Sequence, residues 1–150
     1  MSENLIGSST VVQVAIVVRD IEAKSRAWAK VLGVPAPDVR VTGPAEETQI
    51  QYRGGTTPAR AKLAFFSLGQ VSLELIEPVG GPSTWQEHLD AHGESLHHIA
   101  FRIKGMQQTL DNLTQNGISL VQRGEYKGGR YAYVDGIETL GTVLELLEND

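Results

Sequence analysis

The stretch Leu96-His97-His98-Ile99-Ala100-Phe101 places two of the four histidines of the chain inside an apolar run of strand length. Side chains alternate between the two faces of a strand, so His97 and His98 are expected on opposite faces, with His97 on the face that packs against a helix. A buried histidine needs partners for its ring nitrogens, so each ring is either hydrogen-bonded in the core or binds a ligand. The rest of the sequence bears on which role applies.

Composition limits the kind of protein that this chain can be. At 150 residues, 41% hydrophobic and 21% charged, it has the length and balance of one globular domain. A formal net charge of −5 disfavours nucleic acid or an anionic membrane as a partner. The absence of cysteine excludes disulfides, thiolate catalysis and sulfur-ligated metals. The sequence contains no apolar run of membrane-spanning length and no signal-like start at Met1–Gly7, so we expect a cytoplasmic protein.

The first strand and helix of the chain recur in its second half. VVQVAIVV at 11–18 is a β-branched run of strand length, and the following periodicity predicts a helix from Ile21 to Leu32 that stops at Gly33. LHHIAFRI at 96–103 likewise precedes a predicted helix, from Gly105 to Asn116. The same two elements therefore open both halves.

The last strands of the two halves also correspond. GQVSLELIE at 69–77 matches GTVLELLE at 141–148, in the same order relative to the strand and helix before it. The unit is β-α-β-β-β, and it occurs twice. We therefore expect a single domain over the whole chain, with an N-terminal module at about 11–78, a linker with a short helix at 79–94 and a C-terminal module at about 95–148.

Between these repeated elements the sequence is less regular. Residues 38–53 are interpreted as two short polar strands around a turn, and residues 54–58 as a loop. Residues 124–129 are glycine-rich and are expected to form a mobile loop. Glu77 and Glu148, which close the last strand of each half, are expected to be solvated.

Four polar residues interrupt the apolar strands at positions that the repeat makes equivalent. Gln13 and His98 lie in the first strand of each half, and Glu74 and Glu145 lie in the last. Taken singly, each is consistent with a solvated sheet face or a hydrogen-bonded core position. An isolated buried carboxylate, however, is costly unless it is paired, protonated or bound to a cation. Taken together, this O/O/O/N donor set predicts one divalent metal ion, namely Zn, Ni, Co, Mn or Fe(II).

These motifs resemble those of a known superfamily. The repeated unit, LHHIAF at 96–101, GQVSLELIEP at 69–78, and YAYVD and GTVLELLE near the C-terminus are similar to the vicinal oxygen chelate superfamily. That group includes lactoylglutathione lyases (glyoxalase I), methylmalonyl-CoA epimerases, extradiol dioxygenases, and fosfomycin or bleomycin resistance proteins. The resemblance spans Val11 to Glu148. It implies an α+β fold, in which two tandem β-α-β-β-β modules form an incomplete mixed β-barrel around a metal, and it implies a homodimer.

The resemblance also implies a function. The four metal-ligand positions of the family fall on the four polar residues above, and their combination is that of zinc-type lactoylglutathione lyases. The flanking sequence instead resembles methylmalonyl-CoA epimerases. We therefore expect a divalent-metal-dependent epimerase or isomerase that moves a proton next to a carbonyl, with Glu145 or Glu74 as the base. The expected substrate is an acyl-CoA or another oxygen-chelating carbonyl compound.

Two departures from the family keep other functions open. The base glutamate of the epimerases would fall near residues 58–60, where no acid stands, although Glu46 and Glu47 lie upstream. The two arginines of the glutathione-type lyases are replaced here by Val17 and Glu94. The alternatives are an enzyme of the lactoylglutathione-lyase type and a non-catalytic protein that sequesters a small molecule.

Five further side chains are candidates for contact with the substrate. The aromatic ones either line the cleft or cover the barrel edge, and the two cations either meet an anionic substrate or belong to an ordinary surface. They are Trp85, Lys127, Arg130, Tyr131 and Tyr133.

Overall fold

Strands make up most of the regular structure. The computed structural model describes residues 3–150, which form ten strands and five helices. The strands are β1 (Val11–Val17), β2 (Arg40–Val41), β3 (Gln51–Tyr52), β4 (Gly55–Thr56), β5 (Arg60–Leu68), β6 (Val71–Val79), β7 (Ser95–Arg102), β8 (Leu120–Tyr126), β9 (Gly129–Val134) and β10 (Val143–Asn149). The helices are α1 (Ile21–Leu32), α2 (Ala45–Thr48), α3 (Thr84–His92), α4 (Met106–Gln115) and α5 (Ile137–Leu140). Within residues 3–150, no helix has the length and apolar character needed to cross a membrane.

The strands form one curled, open sheet with approximate internal symmetry. Its order is β2-β5-β6-β1-β7-β10-β9-β8-β3-β4, with β1 and β7 antiparallel in the middle. β6 runs parallel to β1, and β10 runs parallel to β7. The register is the same in both pairs, since Ala15 lies opposite Glu74 and Ala100 lies opposite Glu145. The predicted α+β half-barrel with an internal repeat is confirmed.

The two long amphipathic helices cover the outer face of the sheet. Ile21 and Ala29 of α1 pack on Leu73 and Leu75 of β6, and the buried side of α4 packs on the outer residues of β9 and β10 in the same way. The inner face carries α3, whose Trp85 packs in a separate apolar cluster. Alternation along β6 and β10 therefore turns the two leucines that flank each central glutamate outward, and it turns the glutamates inward.

The last strand of each half caps the first helix of that half. Glu77 Oε1 accepts a hydrogen bond from the Ile21 amide at the start of α1, at 2.9 Å. Glu148 accepts from the amides of Gly105 and Met106 at the start of α4, at 2.6 and 3.2 Å. These carboxylates satisfy helix N-terminal donors that have no partner within the helix, and they lie at the positive end of the helix dipole. The prediction that Glu77 and Glu148 are simply solvated is wrong.

The irregular segments differ from the sequence prediction. Residues 38–53 contain β2, the short helix α2 and β3, and β3 pairs with β8 of the second half instead of with β2. The expected loop at 54–58 contains β4, which forms a hairpin with β3. The expected mobile loop at 124–129 is mostly strand, because β8 extends to Tyr126 and β9 begins at Gly129. A Cβ at Gly124 would lie 2.7 Å from the Tyr131 side chain of the paired strand. That glycine permits close strand packing.

Candidate metal centre and its cavity

Two β-bulges direct polar side chains toward the inner face of the sheet. In the β1–β7 pair, Val12 is the extra residue on β1 and His97 is the extra residue on β7, each immediately before a predicted ligand. A bulge breaks strict alternation and re-aims the side chains next to it. His97 Nδ1 therefore lies 2.7 Å from His98 Nδ1, and both rings are buried. The predicted placement of these two histidines on opposite faces is wrong, because alternation fails at the bulge.

The four predicted ligands converge at one point on the inner face. His98 Nε2 lies 3.1 Å from Glu145 Oε1 and 3.6 Å from Glu74 Oε1. Gln13 Oε1 lies 3.1 Å from the same nitrogen. Ligand atoms of the two glutamates and His98 all lie within 4.8 Å of one another. These contacts bring together residues of β1, β6, β7 and β10, which the sequence separates by up to 132 positions (145 − 13).

The electrostatics of this group suit a divalent cation. Glu74 and Glu145 are only 6% and 4% exposed, and Oε1 of each has no hydrogen-bond partner. Burial raises the pKa of Glu74 well above its usual value, and the nearby Glu145 carboxylate raises it further. Burial also raises the pKa of Glu145 to about 8 and lowers that of His98 to about 3. Buried, unpartnered carboxylates beside a neutral imidazole are a suitable donor set for a divalent ion.

The centre opens into a cavity of about 460 Å³, a volume within the range of small-molecule sites. One end is formed by Gln13, Glu74 and Glu145. Its walls are mostly apolar or aromatic, with a few polar groups. These wall residues are Arg40, Val41, Thr42, Thr48, Ile50, Ala59, Leu63, Phe65, Trp85, Glu125, Tyr126, Lys127, Tyr131, Tyr133 and Leu147. The arrangement can therefore hold a small molecule against a metal ion.

Four of the five predicted substrate-contact residues line this cavity, and the fifth does not. Trp85 and Tyr133 form a buried pair in which Trp85 Nε1 donates to Tyr133 Oη at 3.0 Å. Tyr131 and Lys127 lie on the same wall. Arg130 lies outside it and pairs with the carboxylates of Glu148 and Asp150.

Several cavity residues come from segments that gave little sequence signal. Arg40, Thr48 and Ile50 belong to the irregular segment 38–53. Gln122 supports the wall from behind. It is fully buried, and its Nε2 donates to Tyr131 Oη at 3.2 Å. Its burial carries no distinctive sequence signal, because β8 continues with Arg123 and Glu125.

The acids near the cavity agree with the departure of residues 58–60 from the epimerase pattern. Ala59 lines the wall near the place where the resemblance puts the epimerase base. Of the two upstream acids, Glu47 lines a separate pocket beside Lys127 and Arg130, and Glu46 lines neither. Among residues 3–150, Glu125 is the one acidic residue that lines this cavity besides Glu74 and Glu145.

Comparison with known proteins agrees with this architecture. The chain is 35% identical over 92 residues to an uncharacterized protein, YqjC, from Bacillus subtilis, and the match covers 59% of this chain and 66% of that protein. The methylmalonyl-CoA epimerase structure from Mycobacterium tuberculosis superposes with a TM-score of 0.64 at 18% identity, covering 100% and 93% of the two chains.

A second epimerase structure shares the fold to the same degree. A single-residue variant of the Streptomyces coelicolor methylmalonyl-CoA epimerase, in complex with 2-nitronate-propionyl-CoA, gives a TM-score of 0.63 at 18% identity, with 94% of each chain covered. At 18% identity the superpositions establish a shared fold and nothing further. The sequence pattern of the glyoxalase, bleomycin resistance protein and dioxygenase families matches residues 12–134. The chain therefore belongs to the glyoxalase/bleomycin resistance protein/dioxygenase superfamily.

Proposed function

We propose that this protein is a divalent-metal-dependent epimerase or isomerase that moves a proton next to a carbonyl group. The observation that carries the proposal is the pair of buried, unpartnered carboxylate oxygens beside His98 Nε2, at the end of a ligand-sized cavity. The proposed metal ligands are Gln13, Glu74, His98 and Glu145. The methylmalonyl-CoA epimerases of the same fold support this choice among the activities of the superfamily.

The proposed chemistry divides the work between the ion and the side chains. When bound, the divalent ion polarises the substrate carbonyl and so makes the adjacent C–H more acidic. Glu145 takes the proton, because its carboxylate lies at the inner end of the cavity with Oε1 free of hydrogen-bond partners. Glu74, at the equivalent position of β6, is the second candidate for this role. The apolar walls keep bulk water away from the reacting carbon.

The proposed substrate is an acyl-CoA or another carbonyl compound with an anionic part. Arg40 and Lys127 lie on the cavity wall and are exposed, so they can meet phosphate or carboxylate groups outside the centre. The M. tuberculosis and S. coelicolor neighbours are named as acting on, or as bound to, molecules of this class. Homodimer formation and a cytoplasmic location stay predictions.

Deuterium exchange tests this function directly. The Zn²⁺- or Co²⁺-loaded protein is incubated in D₂O with a panel of acyl-CoAs and 2-oxo hemithioacetals, and deuterium uptake next to the carbonyl is followed by mass spectrometry. We expect uptake with one acyl-CoA and none with Glu145→Gln. Glu138→Gln, which changes an exposed carboxylate that does not line the cavity, is the matched control and should retain uptake.

The same panel separates the proposed function from the lyase alternative, which the ligand set favours. Conversion of a hemithioacetal without exchange into any acyl-CoA would replace the epimerase by a lyase of the lactoylglutathione type. Tight ligand binding without exchange or conversion would refute both enzymes and support sequestration.

A further inference from the structure

We propose that His97 is a positioning residue, which accepts a hydrogen bond from His98 Nδ1 and leaves the Nε2 lone pair of His98 facing the centre. The inference deepens the proposed function and rests on it, because it concerns the ring that would bind the metal. Its basis is the contact between His97 Nδ1 and His98 Nδ1, at 2.7 Å, between rings that are 0% and 1% exposed. This contact exists only because the bulge at His97 turns both rings to one face.

The hydrogen-bond chemistry leaves one arrangement when a cation occupies the centre. Two nitrogens 2.7 Å apart need one hydrogen between them, so one ring donates and the other accepts. A neutral His98 that binds a cation through Nε2 carries its hydrogen on Nδ1 and must donate to His97. His97 then carries its own hydrogen on Nε2, which lies 3.2 Å from Thr84 Oγ1 and can donate to that hydroxyl. Every ring nitrogen has a partner in this arrangement.

The position of Thr84 is itself fixed by a second buried side chain, Gln122. Its amide donates to Gln122 Oε1 at 2.8 Å, and Gln122 Nε2 donates to Tyr131 Oη on the cavity wall. Thr84 and Gln122 are both buried. A continuous chain of hydrogen bonds thus joins the metal centre to the wall that would contact the substrate. Fixed partners of this kind orient a metal-binding imidazole and set its tautomer.

A histidine differs from the usual partners of metal-bound imidazoles. Carboxylates and backbone carbonyls are common at this position, and they accept without being able to change role. A carboxylate here would be a third buried negative charge next to Glu74 and Glu145. The neutral ring of His97 accepts the hydrogen bond without adding charge to the centre. The structure therefore provides orientation of His98 at no further electrostatic cost.

Three variants test the role of His97. His97→Leu removes the acceptor and leaves His98 Nδ1–H unpartnered, so Zn²⁺ affinity measured by calorimetry should fall about 10–100-fold. His97→Asn restores an acceptor oxygen close to the position of Nδ1 and should recover most of that loss. His88→Leu is the matched control. Its ring packs 5.2 Å from the ring of His97, but Nε2 bonds to Ser95 Oγ and not to His98.

Nitrogen-15 NMR of the histidine rings gives a readout that is independent of activity. In the metal-free wild type, we expect one of the two facing Nδ1 atoms to carry a hydrogen and the other to be bare. With Zn²⁺ bound, the hydrogen should be on His98 Nδ1 and the bare nitrogen should be His97 Nδ1. If His97 had a merely structural role, Zn²⁺ binding would not place the hydrogen on His98 Nδ1 opposite a bare His97 Nδ1. His97→Leu would then also leave the His98 signals unchanged.

The outcomes separate this inference from the proposed function. A wild type that binds no divalent ion refutes the metal-dependent function, and with it the metal-directed tautomer. A wild type that binds Zn²⁺, with unchanged affinity in His97→Leu or with bare Nδ1 atoms on both rings, overturns the inference alone. Equal losses in His97→Leu and His97→Asn also overturn it, because the acceptor would then be irrelevant.

Discussion

Glu145→Gln is expected to stabilise the metal-free protein and to reduce the further stabilisation that a divalent ion provides. Oε1 of Glu74 and Oε1 of Glu145 are buried without hydrogen-bond partners, and ligand oxygens of the two side chains lie within 4.8 Å of each other. Two unit negative charges at that distance repel by about 3 kcal/mol at an effective dielectric constant of about 20. Glutamine removes one of the charges at nearly constant volume, and its amide can donate to the Glu74 carboxylate.

The size of the effect follows from this repulsion. A proton held by one of the two glutamates relieves part of this repulsion in the wild type. We therefore expect a net gain of about 2 kcal/mol in the free energy of unfolding of the metal-free variant. For a chain of 150 residues this raises the melting temperature by about 4–8 °C. Zn²⁺ at about 100 times its Kd should stabilise the wild type by about 2.7 kcal/mol. Glu145→Gln should gain less stability from Zn²⁺ than the wild type does. Zn²⁺ should therefore narrow or reverse the difference in melting temperature between the two proteins.

Thermal unfolding followed by circular dichroism measures both effects, first with EDTA and then with Zn²⁺. Glu125→Gln is the control, since its carboxylate is exposed and should change neither melting temperature by much. A melting temperature of metal-free Glu145→Gln at or below that of the wild type would contradict repulsion between the two glutamates. An equal rise in the melting temperatures of both proteins on addition of Zn²⁺ would contradict the role of Glu145 as a ligand.

Three further substitutions test the surroundings of the centre. Glu148→Gln should cost about 1 kcal/mol at neutral pH by weakening the cap of α4. Hydrogen bonds from the amides at the start of α4 hold the pKa of Glu148 below its usual 4.5. Wild-type stability should therefore fall as the pH drops below this value, and acid titration of the variant should be flatter. Gly124→Ala should displace Tyr131, whose Oη would lie 2.7 Å from the new Cβ, and so weaken ligand binding in calorimetry while Zn²⁺ affinity is kept. Trp85→Phe removes the hydrogen bond to Tyr133 and should lower the free energy of unfolding in urea by about 1 kcal/mol.

The repeat made much of the fold and the centre predictable from the sequence. Two matched sets of elements are enough to specify the β-α-β-β-β order, and they align Gln13 with His98 and Glu74 with Glu145. The observed register, with Glu74 and Glu145 each opposite an alanine of the neighbouring strand, has this same symmetry. An internal repeat therefore carries long-range information that a single strand pattern lacks.

Features that depend on tertiary contacts were not predictable. The bulge at His97 leaves no mark in the alternation of LHHIAF, because its position depends on pairing with β1. Glu77 and Glu148 cap helices that lie 56 and 42 or 43 residues away, so their partners are not apparent locally. In the segment 38–58, β2 corresponds to β8 of the other half, whereas α2 and the β3–β4 hairpin have no repeated counterpart. The hairpin is positioned by its pairing with β8.

Metal stoichiometry is the most direct test of the central claim. The purified protein is dialysed against EDTA, then against Zn²⁺, Co²⁺ or Mn²⁺, and its metal content is measured by mass spectrometry. A single ion bound per chain in the wild type, with loss of that ion in His98→Ala and in Glu145→Gln, is the result that we predict. Absence of a bound ion from the wild type, or full retention of the ion by both variants, would contradict the assignment of this group as a metal centre.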